Sequence, residues 1–138
     1  MKKSLIAAAF ALTAGVAQAE GQAVTVIVNS ASTMSQGVAL VLATQMQEQG
    51  GQVHILLCDK AGDLALKGAG GEALKPKNVT PAQMLDGAMK KGATASVCAL
   101  YLPNSGHTPD QLKDGVTAAK PDAMGKALLE PQRKVVVF

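Results

Sequence analysis

The chain has 138 residues, 13 basic against 10 acidic side chains, a formal charge of +3, and only two cysteines and three aromatic residues. Two of the lysines, Lys2 and Lys3, fall in an N-terminal leader, so the remaining 119 residues (138 minus 19) carry +1 and keep only Tyr101 and Phe138 as aromatics. That remainder has neither the basic footprint nor the stacking platform of a nucleic-acid binder, and its length suits one compact domain with its own core.

The first element in chain order is an export signal. Lys2 and Lys3 form a basic start, residues 5–15 are apolar except for Thr13, and Ala17-Gln18-Ala19 is a small-residue cleavage site. Cleavage after Ala19 is expected to release a protein beginning at Glu20 into a bacterial periplasm, with a single domain over residues 20–138. The apolar run is well short of the roughly 20 residues that cross a bilayer, and no later segment supplies them. No cysteine follows the cleavage site to carry a lipid.

Residues 24–29 (VTVIVN) then read as a strand and residues 35–49 as a helix stopped by Gly50-Gly51. Residues 52–58 (QVHILLC) are a second strand. Residues 59–78, rich in glycine and lysine, are a long irregular stretch with a short helix at 63–67, and a loop of that length in a small domain is usually functional or mobile. Thr80-Pro81-Ala82-Gln83 is a capping box with proline at the first helical position. Met84, Leu85, Ala88 and Met89 follow on one face, and Lys90 and Lys91 suit the helix C-terminus before Gly92.

Residues 93–102 (ATASVCALYL) are a third strand. Thr108-Pro109-Asp110-Gln111 repeats the capping pattern, with Leu112 and Val116 a turn apart, and a last helix runs over residues 121–130. Residues 134–138 (KVVVF) close the chain as a strand. The strands are apolar on both faces, as in a parallel sheet, and strands alternating with helices define an α/β, doubly wound sheet with helices on both faces.

The order of these elements, the segment Ala95-Ser96-Val97-Cys98-Ala99-Leu100-Tyr101-Leu102-Pro103-Asn104, the later Asp114-Gly115-Val116 and the closing Lys134-Val135-Val136-Val137-Phe138 resemble the DsrE/DsrF-like family over essentially all of residues 24–138. The resemblance implies a flavodoxin-like fold, a homo-oligomer and, in sulfur-relay members, a cysteine that carries sulfur as a persulfide. Cys98 is the residue that matches that cysteine. The best-known sulfur-relay members work in the cytoplasm, so the leader sets this chain apart in address.

The residues support that chemistry by their placement. In open parallel sheets, ligands bind outside the carboxyl ends of the strands, where helix N-termini supply backbone N–H groups. Cys98 falls near such an end, and a thiolate or persulfide there is stabilised, which raises the reactive fraction of a thiol whose ordinary pKa is about 8.5. Lys60, after the second strand, and His107, after the third, are the nearest candidates to hold an anion on that edge. Lys90 and Lys91 precede the Cys98 strand and belong to the opposite edge.

Two other readings of Cys98 stand beside this one. An unpaired cysteine is often a buried small hydrophobe, and Val97 and Ala99 beside it are apolar. A Cys58–Cys98 disulfide suits an oxidising compartment, and Cys58 would then be a bridging or resolving thiol. Strand order argues against the bridge. If the first strand lies between the other two, the cysteines stand about 9 to 10 Å apart, whereas bridged Cα atoms are rarely beyond about 6.8 Å.

Cys58, Cys98, His107 and Met34 are soft ligand types, but no two sit at a metal-binding spacing, and no metal is expected. Phosphate-loop, dinucleotide and nucleophile-elbow motifs are missing, Asn29-Ser30-Ala31-Ser32-Thr33 has the composition of a helix cap, and no cofactor is expected. His54 reads as a hydrogen-bonded core or edge histidine. Residues 29–47 carry no charge, and their apolar positions occupy more than one helix face, which favours a homo-oligomer. Two functions follow: an exported sulfur-carrier or thiol-relay protein acting through Cys98 on partner thiols or small sulfur species, or a non-catalytic oligomeric binding module with buried or bridged cysteines.

Overall fold

The computed structural model describes residues 21–138; the leader and its cleavage site lie outside the described residues. The elements in chain order are β1 (Ala23–Val28), α1 (Thr33–Glu48), β2 (Gln52–Leu57), a 3-10 helix (Asp59–Ala65), α2 (Pro81–Lys90), β3 (Thr94–Val97), α3 (Tyr101–Ser105), a 3-10 turn (Pro109–Gln111), β4 (Val116–Ala118), α4 (Pro121–Leu128) and β5 (Lys134–Val137). All four strand pairings are parallel, and the order across the sheet is β4-β3-β2-β1-β5. This is the expected α/β class, a parallel sheet with helices on both faces.

The order inside the sheet corrects one expectation. Of the first three strands β2, not β1, is in the middle, because each of the first three crossovers steps to the next position in the same direction. Right-handed crossovers in one direction place their helices on one face, and α1 packs against α2 there. The connection through α4 then returns across the other face to set β5 beside β1.

Local chemistry explains the element ends. Ser32 Oγ accepts from Ser35 N–H to start α1, and Thr80 and Gln83 form the reciprocal capping box of α2. The third strand is shorter than the aliphatic run suggests: after Cys98 the chain turns, and Tyr101 N–H donates to Cys98 O as α3 begins. Thr108 to Gln111 makes only a 3-10 turn, and Val116 leaves the expected helix to pair with Ala95 as β4. Residues 59–65, expected as loop with a helix at 63–67, form the 3-10 helix.

The core lies between the sheet and the α1–α2 layer. Val24, Val26, Val28, Leu40, Ile55, Leu57, Leu85 and Val97 are buried there. The alternate strand positions point to the α4 face and are more polar. Thr25 pairs in register with His54, His54 with Thr94, and Ser96 with Thr117. His54 Nδ1 hydrogen-bonds with Thr94 Oγ1 at 2.8 Å and Nε2 with Ser96 Oγ at 2.9 Å, so it is the satisfied sheet histidine that its position suggested.

Burial first, and the charge of Arg133 second, hold His54 below its ordinary pKa of 6.5. The unfolded chain therefore binds a proton that the folded chain refuses in mild acid, so this contribution is intact above the ordinary value and is lost as pH falls through the folded one. Urea midpoints should drop between about pH 7 and about pH 5, and His54→Gln should flatten that slope. An identical slope in the variant would remove His54 from the account.

Candidate functional site at the carboxyl edge

β2 and β3 end side by side, and the β1–β2 and β2–β3 ladders each run one residue further, into Cys58 and Cys98. Cys58 N–H donates to Val28 O and Cys98 N–H donates to Leu57 O, each at 2.8 Å. Cys58 and Cys98 share the parity of His54 and Ser96, so both side chains leave the sheet on the α4 face. Their Cα atoms are 4.9 Å apart and the sulfurs form a disulfide, leaving no free cysteine. The expected separation of two strand spacings is thus overturned: with β2 adjacent to β3 the cysteines are one strand apart, within bridging range.

Both cysteines are only partly buried, and they line an open groove of about 1110 Å³. Lys60, Asp63, Leu100, Tyr101 and Asn104 form one side, and Met124 and Leu128 of α4 the other. Asp59 turns the chain out of β2 with φ 49°, a left-handed conformation that aspartate tolerates better than most residues, and this sends Lys60 to the groove. Lys60 is exposed and lies 3.9 Å from Asp63 Oδ2, a loose pair that leaves its charge available to an anion.

Tyr101 was not singled out as a site residue, yet it anchors the groove. Its hydroxyl donates to Asp63 Oδ1 at 2.8 Å, and burial together with this bond raises its pKa, so the phenol stays protonated. A Cβ on Gly62 would collide with the Tyr101 ring, so glycine there is required by close approach. The sequence signal was slight: the only tyrosine of the chain stands three residues after Cys98.

His107 is one ring removed from the site. It stacks on Tyr101 with centroids 6.3 Å apart, its Nδ1 hydrogen-bonds with Gln111 Oε1 at 3.2 Å, and it does not line the groove. Lys60 therefore reaches the cysteine groove and His107 supports it from behind. Lys91 pairs with Glu48 at the opposite edge, as expected. Met34 is exposed on α1 and does not line the groove, and among the described residues no group of three or more His, Cys, Asp or Glu side chains could hold a metal. No helix among them is long and apolar enough to cross a membrane.

The fold recurs in solved structures. The chain superposes on the ychN protein from E. coli with TM-score 0.68 and 21% identity, over 86% of this chain and 99% of that one. It superposes on MTH1491 from Methanobacterium thermoautotrophicum, described as a protein of unknown function, with TM-score 0.61 and 10% identity, over 84% and 98% of the two chains. At these identities the likeness is one of fold. No protein-family model matches the chain, and no curated protein sequence does.

Proposed function

We propose that the chain is an exported sulfur-carrier or thiol-relay protein of the DsrE/DsrF-like type, with Cys98 as the sulfur-bearing residue and Cys58 as its resolving partner. The observation that carries this reading is a Cys58–Cys98 bridge lying in an open groove at the carboxyl edge of the sheet. A purely structural bridge has no need of that groove or of the cation beside it.

The chemistry is thiol–disulfide exchange with sulfide as one partner. Hydrosulfide attacks Cys98 Sγ, an S–S bond forms to the incoming sulfur, the Cys58–Cys98 bond breaks, and its electron pair leaves on Cys58 as thiolate. Cys98 then bears the persulfide, whose negative charge Lys60 is available to offset. A thiolate on a partner protein attacks the terminal sulfur, and Cys98 leaves as thiolate. Exchange with a partner disulfide, reduced to a dithiol in the process, closes the bridge again.

The test is the intact mass of the bridged protein before and after sulfide, and of the reduced protein with an organic persulfide donor. The bridged protein should gain one molecule of hydrogen sulfide. Cys58→Ser, which cannot bridge, should load only from the persulfide donor, and Cys98→Ser should load from neither. A bridged protein whose mass sulfide leaves unchanged, together with a reduced protein that takes no sulfur from the donor, favours the alternative, a binding module with a structural disulfide.

The same reading includes a homo-oligomer. Met34, Val38, Val41 and Leu42 are exposed along α1, which carries no charge before Glu48, and Val135 and Val137 are exposed on the edge strand β5. Paired copies would cover them, so Val41→Asp should shift the sedimentation of the protein toward the monomer. A wild-type protein that sediments as a monomer at every concentration removes this part of the proposal.

A further inference from the structure

A second cavity, on the α4 face and toward the amino edge of the sheet, is independent of the cysteine chemistry. It is open to solvent and measures about 970 Å³, within the range of small-molecule sites. Its floor is two successive in-register rows, Thr25–His54–Thr94 and Leu56–Ser96–Thr117, polar at every position but Leu56. A parallel sheet covered by a helix is ordinarily apolar at such positions, and Thr25 and Ser96 are nevertheless almost fully buried, each 3% exposed. The roof is α4, which buries none of its residues, and Met124, Ala127 and Leu128 line the space without filling it.

The charged side chains lining this cavity are all cations, two of them paired with acids outside it, Lys91 with Glu48 and Arg133 with Glu130. Lys91, Lys120 and Arg133 line it, and no aspartate or glutamate does. Arg133 is held in place from behind: Nε donates to Glu130 Oε2 at 2.9 Å, Nη2 lies 2.7 Å from the same oxygen, and Nη1 donates to Thr25 Oγ1 at 3.2 Å. These contacts occupy three of its five N–H donors and leave two. Lys120 makes no ion pair among the described residues. His54, neutral, donates to one of the Thr94 and Ser96 hydroxyls and accepts from the other, so one of the two keeps an O–H to donate to an anion.

We propose that this cavity binds a small amphipathic organic carboxylate, its charged end on Arg133 and on whichever of the Thr94 and Ser96 hydroxyls accepts from His54, its apolar body against Leu56, Met124 and Leu128. A preformed guanidinium in a low-dielectric pocket favours a carboxylate, because two parallel N–H donors match its two oxygens. The apolar roof excludes a bare inorganic anion as the best-fitting occupant, since it would leave most of the volume unfilled. α4 is a wall common to this cavity and the cysteine groove, through Met124 and Leu128.

Octanoate and its neutral counterpart 1-octanol are the probes, titrated into the purified bridged protein and followed by calorimetry and by the imidazole and Ser96 amide resonances. Octanoate should bind saturably and move both resonances, and 1-octanol should bind at least about tenfold more weakly. Arg133→Gln should weaken octanoate by about tenfold, and Lys120→Gln, at an exposed position, by a smaller factor with the fold intact. Equal affinity for the two probes, octanoate binding unchanged in both variants, or no binding at all would overturn the proposal. So would resonances that respond to protein concentration but not to octanoate, since a second copy would then fill the cavity.

Discussion

Cys58→Ser and Cys98→Ser should destabilise the protein equally while differing in sulfur chemistry. The bridge closes a span of 40 residues, from the end of β2 through the 3-10 helix, α2 and β3. On the chain-entropy account, releasing a loop of that size returns about 4 kcal/mol of freedom to the unfolded state. For a domain of this length that is a fall in Tm of about 15 °C, and a substantial part of the 5–15 kcal/mol that ordinarily holds a domain together. Thermal melts of the two serine variants should coincide with each other and with the reduced wild type. A variant that melts with the bridged protein would mean that the bridge constrains nothing. Sulfur loading should still separate the pair if, as proposed, Cys98 carries the persulfide and Cys58 resolves it.

That the cysteines meet at all was the least legible part of the site. The sequence marks both as strand ends, and it marks the carboxyl edge as the place for chemistry. Strand order, however, depends on which neighbour each crossover selects, and the aliphatic composition of VTVIVN, QVHILLC and ATASV is compatible with either β1 or β2 at the centre. Placing β1 between the others put the thiols two strands apart; the actual order puts them one apart. Capping was readable because it is local: Thr80 and Gln83 make the bonds that their spacing suggests. The Thr108 repeat of the same pattern yielded only a 3-10 turn, because Val116 is taken up by pairing with Ala95, a contact no window of sequence contains. Tyr101 was hidden for a related reason: its partners, Asp63 and the bare backbone of Gly62, lie some forty residues earlier in the chain.

Leu57→Ala should lower stability nearly as much as losing the bridge while leaving the chemistry in place. Leu57 is fully buried at the centre of the sheet, in register between Val28 and Val97, and immediately precedes Cys58. Truncating it forfeits the transfer free energy of the removed carbons and opens a cavity that the flanking strands cannot close, a cost of about 3 kcal/mol. Its carbonyl still accepts from Cys98 N–H, so the ladder that aligns the two sulfurs is a main-chain feature and survives the change. Urea unfolding should show a lower midpoint at unchanged m, and mass gain on sulfide treatment should match wild type under native conditions. The contrast decides what the bridge is for. If Leu57→Ala loads sulfur and Cys58→Ser at comparable stability does not load it from sulfide, the missing step is the attack on the disulfide. If both fail to load, a stability threshold explains both, and the resolving role of Cys58 is lost.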